Sequence, residues 1–120
     1  MRSIAFASAV AIASAVAGCG GSSSAVQRTL ERFLSRTPQG RAWAKRFPHR
    51  PGSVPCTVVD PVAGRRVPAT CSTDASTASG DRVVVTFTQS WSHGSRARTW
   101  FFFLRANGSV ESVKRAGSGG

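Results

Sequence analysis

Two apolar runs that mirror each other about a short turn restrict this chain more than anything else in it. Val83, Val84, Val85, Thr86, Phe87 and Thr88 lead into Ser92-His93-Gly94-Ser95, and Thr99, Trp100, Phe101, Phe102, Phe103 and Leu104 follow. β-Branched and aromatic residues in runs of this length, on either side of turn residues, read as an antiparallel hairpin. Bending the chain symmetrically at His93-Gly94 places Phe87 opposite Trp100, Val85 opposite Phe102 and Val83 opposite Leu104. Apolar side chains then meet along one face, and a slip of one residue would turn them all to water. The opposite face carries Val84, Thr86, Thr88, Thr99, Phe101 and Phe103, which is half apolar and unlike an ordinary solvent face.

More strands flank this hairpin. Asn107-Gly108 is a type I′ signal, after which residues 110–114 form a closing strand with Val113 facing Phe102. Upstream, Thr57, Val58 and Val59 enter Asp60-Pro61-Val62-Ala63-Gly64, a type I turn with glycine where φ must be positive, and residues 67–70 return. Residues 72–80 are small and polar and read as a loop. Residues 48–55 hold three prolines and a glycine and suit neither a helix nor a central strand, which leaves His49 as a solvated loop residue.

Two helices precede the strands. Val26, Leu30, Phe33 and Leu34 recur at i, i+4, i+7 and i+8, so one stripe is apolar while Arg28, Arg32 and Arg36 face away. Ser24 and Gln27 have capping-box spacing, and Pro38 ends the helix near Arg36. Thr37-Pro38 then caps and starts a second helix to Arg46, on which Trp43 and Phe47 stand four apart and can pack together. The order of elements predicts an α+β domain, its first helix lying across the Val83, Phe87, Phe102 face of a curved antiparallel sheet of about five strands.

The N-terminus has a different character. Arg2 precedes an apolar run from Ile4 to Val16, then come Val16-Ala17-Gly18-Cys19 and the linker-like Gly20, Gly21, Ser22, Ser23 and Ser24. Thirteen residues make about 20 Å of helix, too short for a hydrocarbon core of roughly 30 Å, and the flanks follow the order of a signal peptide. Small residues before a single cysteine closely resemble the lipobox of bacterial lipoprotein precursors. The resemblance implies cleavage after Gly18, a diacylglyceryl thioether on Cys19 and N-acylation of the new terminus. Two or three acyl chains hold a protein stably at a bilayer, where one is marginal.

The expected division is therefore residues 1–18 as signal peptide, 19–24 as lipidated cysteine and linker, 25–115 as the domain and 116–120 as a flexible tail. The location would be the outer face of the cell membrane, or an outer membrane in a two-membraned cell. The folded part is similar to small actinobacterial lipoproteins and, more distantly, to cystatin-like and nuclear-transport-factor-like domains, by element order alone and with no functional residue carried over.

With Cys19 assigned to lipid, Cys56 and Cys71 remain as a pair, and outside the cytoplasm such a pair oxidises. The turn at residues 60–64 brings them towards each other, but pairing Val59 with Arg65 sets Cys56 opposite Pro68, three residues short of Cys71. A bulge, or cysteines lying beyond the regular ladder, would absorb the difference. A zinc site using both thiols with His49 and His93 is the rival reading, and no metal-finger spacing supports it.

The chain carries a net charge of +11, or +10 once Arg2 is lost with the signal peptide. An exported protein with this balance points to anionic lipid headgroups or an acidic envelope polymer as partner, in place of nucleic acid, or to charge serving solubility alone. Chemistry is harder to find. The acids after residue 18 are Glu31, Asp60, Asp74, Asp81 and Glu111, with no pair spaced for acid and base work. Ser90, His93 and Asp81 can be assembled into a triad on paper, but nothing resembles a nucleophile elbow. No phosphate loop, metal-ligand spacing or internal repeat occurs, so neither catalytic residue nor cofactor is expected, an enzyme with a cleft around His93 being the lesser alternative. Trp91, Phe101 and Phe103 are the candidates for an apolar-ligand pocket or a dimer interface.

Overall fold

Two helices, α1 (Ser24–Arg36) and α2 (Pro38–Ala44), precede five strands, β1 (Gly52–Asp60), β2 (Arg65–Ser79), β3 (Arg82–Trp91), β4 (Arg96–Leu104) and β5 (Val110–Ser118). They belong to a computed structural model that describes residues 24–92 and 95–118. The strands form a single antiparallel sheet in the order β1-β2-β3-β4-β5, so every hairpin joins neighbours and the sheet is open at β1 and β5. The α+β class expected from the element order is the one observed. Cys19 and His93, with the signal-peptide and lipobox readings, lie outside the described residues.

Strand pairing follows the apolar pattern. Phe87 stands opposite Trp100, Val85 opposite Phe102 and Val83 opposite Leu104, and Val113 faces Phe102 across the next ladder. This face receives α1, whose Val26, Thr29, Leu30, Phe33 and Leu34 are buried. Phe33 sits with its ring centroid 5.3 Å from that of Phe102 and 6.4 Å from that of Phe87. Trp43 of α2 stacks on Phe47 at 5.3 Å and on Phe87 at 5.0 Å, closing the other end of the same core.

The join between the helices is tight. Thr37 Oγ1 accepts from the Gly40 N–H and donates to the Phe33 carbonyl, both at 2.8 Å, so one hydroxyl ends α1 and caps α2. A capping box at the start of α1 is not formed: Gln27 Oε1 is buried without a partner among the described residues. Nor do all the helix arginines face away, since Arg32 donates to the Ala106 carbonyl at 3.1 Å, beside Thr29, which does the same at 3.3 Å.

Further sequence expectations are corrected. Residues 72–79 are strand, not loop: β2 runs fifteen residues and pairs with β3 almost to its end. Its inward Cys71, Thr73 and Ala75 are buried beneath the helices and the Pro48 strap, and the Ser, Asp and Ala residues of this stretch carry little strand signal of their own. The β1–β2 ladder has no bulge, running unbroken from Gly52 opposite Thr73 to Asp60 opposite Arg65. Cys56 and Cys71 lie on one face as diagonal neighbours, Cys56 opposite Ala69 and Cys71 opposite Val54, with Cα atoms 5.8 Å apart, and are joined as a disulfide. The zinc reading falls with that bond, which leaves no thiolate to offer.

The Asn107-Gly108 turn is not type I′, for only Gly108 has positive φ there. Gly108 N–H bonds to the Arg105 carbonyl at 2.8 Å, and the ladder shifts register between Phe103 and Leu104, the form of a type I turn followed by a left-handed glycine. Close packing selects it: a side chain at Gly108 would meet Arg32 Cβ at 2.7 Å and Phe33 N at 2.8 Å.

Candidate functional site

The chain leaving α2 makes the most distinctive surface. Phe47 N–H and Arg46 N–H both donate to the Trp43 carbonyl, at 3.1 and 3.0 Å, which turns the backbone sharply after the helix. Phe47 is thereby buried while Lys45 and Arg46 stay in water. His49 is exposed, as expected, but not idle: its Nε2 donates to the Ala44 carbonyl at 2.6 Å and satisfies an unpaired group at the helix end. Residues 48–51 then swing round to β1, anchored where Thr73 Oγ1 donates to the Pro48 carbonyl at 2.7 Å.

This course leaves an open groove of about 930 Å³ between the strap and the free edge of β1. Lys45, Arg46, His49, Arg50 and Arg66 line it, and Cys56, Cys71 and Gln89 contribute to its inner wall. No aspartate or glutamate is among the lining residues. Two of the cations are held in place: Arg46 lies over the Trp43 ring at 4.6 Å, and Arg66 donates to Thr57 Oγ1 at 3.1 Å. The disulfide fixes β1 to β2 at the point where the groove runs along them.

Pro55 occupies the middle of the β1 edge. A proline there cannot donate to an incoming strand, and the surrounding cations repel like edges, so the groove is poorly suited to pairing with another backbone. Its charged groups are all cationic: three guanidinium groups and an ammonium group stand around a floor that includes Phe47, Val54 and Pro55. Such groups can hold carboxylates or phosphates, guanidinium forks by paired hydrogen bonds.

A second concavity, of about 230 Å³, lies where the start of α1 meets the β2–β3 turn. Arg28, Arg32 and Arg82 share it with Asp81, and Arg82 Nε bonds Glu111 Oε1 at 2.7 Å. That bond, with the carboxylate's charge, raises the Arg82 pKa. Asp81 and the Arg82–Glu111 pair offset part of the charge of the three arginines, which leaves this concavity less cationic than the groove.

At the opposite end of the sheet, Asp60 caps the β1–β2 turn, its Oδ1 accepting from Val62 N–H at 2.8 Å and Ala63 N–H at 3.4 Å. The Val62 bond is the chief cause of a pKa below the usual carboxylate value; partial desolvation opposes it, while the Ala63 bond and the Arg96 charge add to it. Trp91 Nε1 is near enough to lower it further but falls short of a full hydrogen bond. Arg98 lies over the Trp91 ring at 4.9 Å and donates to the Val59 carbonyl at 3.4 Å. These contacts fasten the hairpin end.

The structure does not bring the sequence candidates together. Trp91 shares the helix side of the sheet with Val83, Val85 and Phe87 and is 2% exposed. Phe101 and Phe103 stand on the other side, half-buried, beside Val84 and under Lys114, whose Nζ is 5.7 Å from the Phe103 ring. Parity along β3 separates them, and neither concavity described above includes Phe101 or Phe103. Asp81 lies in the turn before β3 and Ser90 near its other end, about 30 Å apart, so the two cannot share a triad. Among the described residues no cluster of three metal-ligating side chains occurs, and no helix is long and apolar enough to cross a membrane.

The groove residues were visible in the sequence only as part of a total charge. The one local signal was three cations, Lys45, Arg46 and Arg50, crowded around His49 and two prolines. Compared with protein-family models, with curated proteins and with solved structures, the chain matches none of them.

Proposed function

We propose that this is an exported lipoprotein, held at the membrane by a lipid on Cys19, whose domain binds anionic groups at the cell envelope. The lipobox-like Val16-Ala17-Gly18-Cys19 supports the anchor, and the acid-free groove of Lys45, Arg46, Arg50 and Arg66 is the observation that carries the binding role. Helices lying on one face of an antiparallel sheet are consistent with a cystatin-like or nuclear-transport-factor-like fold. The groove concentrates positive potential in a concave surface, where field lines are focused and an anion gains more than at an isolated side chain.

Two measurements test the reading. Intact mass of protein extracted from membranes should begin at Cys19 and carry a diacylglyceryl group; an unmodified chain retaining Met1 would overturn the anchor. Binding to anionic vesicles or acidic polymers should weaken at least about tenfold between roughly 50 and 300 mM salt, and binding that ignores salt removes the electrostatic role.

A further inference from the structure

The groove and the anchored end of the domain lie apart, and this separates two anionic partners that charge alone does not. Ser24 begins α1, and Ala25, Val26 and Arg28 sit beside Gly80 and Asp81 at the β2–β3 turn. Cys71 and Gln89, on the wall of the groove, are paired with each other six residues further along the same two strands than the pair Thr77 and Val83. That distance is about 20 Å. From Cys19 to Ser24 the chain spans five residues, at most about 18 Å when fully extended.

A tether at Cys19 therefore holds Ser24 and the Gly80 end within about 18 Å of the bilayer, while the groove lies beside the middle of β2, about 20 Å further along the strands. The shapes agree with this. A bilayer surface is planar and cannot enter a concavity of about 930 Å³, whereas a linear chain can lie along it. The groove follows β1 from Gly52 to Thr57, about 17 Å of edge, with Lys45, Arg46 and Arg50 on the strap side and Arg66, bonded to Thr57 on the opposite face of the sheet from Cys56, at the outer lip. Pro55 discourages an added β-strand, so the occupant binds through its charges and not through a backbone ladder.

We infer that the groove takes a linear polyanion, a polymer with carboxylates or phosphates spaced along its chain, presented on the side of the protein away from its own membrane. This rests on the anion-binding reading above, and its orientation on the Cys19 anchor proposed with it, and narrows the reading to one class of partner. Each cationic side chain at such a surface contributes about 1 kcal/mol, so removing two changes affinity about 10- to 30-fold.

The test uses the full-length chain carrying Cys19→Ser, so that no lipid holds it to a vesicle. Polygalacturonate and polyphosphate are titrated as the two polymer chemistries, and phosphatidylglycerol vesicles as the membrane. Lys45→Gln with Arg50→Gln should weaken polymer binding about 10- to 30-fold and leave vesicle binding unchanged. Arg28→Gln with Lys114→Gln, an equal loss of charge outside the groove, should weaken polymer binding about twofold or less. Lys45 and Arg50 are exposed, and unchanged Tm in both pairs verifies the fold. Equal losses from the two pairs would overturn the groove as the site. Vesicle binding that falls with the groove pair while neither polymer binds would assign the groove to the membrane, refuting the polymer and sparing the anion-binding reading. Failure of all three probes to bind in a salt-sensitive way would refute both.

Discussion

Gly40 shows how one missing side chain permits the helical layer to exist. A Cβ at that position would collide with the Phe33 carbonyl and come within 2.8 Å of Thr37 Oγ1, and both partners are fixed, one in a helix and one as its cap. Gly40→Ala should therefore destabilise by about 3 kcal/mol or more, read as a fall in Tm beyond about 10 °C. Asp60 makes a different prediction at the same scale. Its folded pKa is depressed, chiefly by the Val62 N–H, so its charge contributes stability above the unfolded value near 3.9 and loses it as pH falls through the folded value. Asp60→Asn keeps an acceptor but no charge. Denaturant unfolding should find it less stable than the parent at pH 7, with the gap closing below about pH 4; a gap constant with pH would contradict the charge as cause.

At the scale of the element, β3 and β4 could be read from the sequence because their inward residues are large and their pattern alternates. The partners Phe87 and Trp100, Val85 and Phe102 follow from that alone. The second half of β2 could not be read, since Thr73, Ala75 and Thr77 owe their strand conformation to pairing with Phe87, Val85 and Val83 of β3 and not to their own bulk. The same limit hid the groove: Arg66 is sixteen residues beyond Arg50, and they share a surface only after the β1–β2 hairpin has folded back. That hairpin is held by the Cys56–Cys71 bond, which closes a separation of 15 residues. Replacing both cysteines with alanine should cost about 3 kcal/mol in denaturant unfolding. Reductant should lower the parent to the level of the variant and leave the variant unaffected.

Over the whole molecule, hydrophobicity is distributed by side. The helices cover one face of the sheet and build the core, the groove lies at the margin of that covered face, and the opposite face keeps Phe101 and Phe103 half in water. The excess positive charge tells of this arrangement only in sum, and needs the fold to acquire a direction. One practical result follows from the same division. The chain has three tryptophans, and Trp43, Trp91 and Trp100 all lie on the helix-covered side. Ultraviolet emission from this protein thus reports events on that side and is blind to the other. An indole substituted at Phe101 or Phe103 would give the bare surface a light of its own.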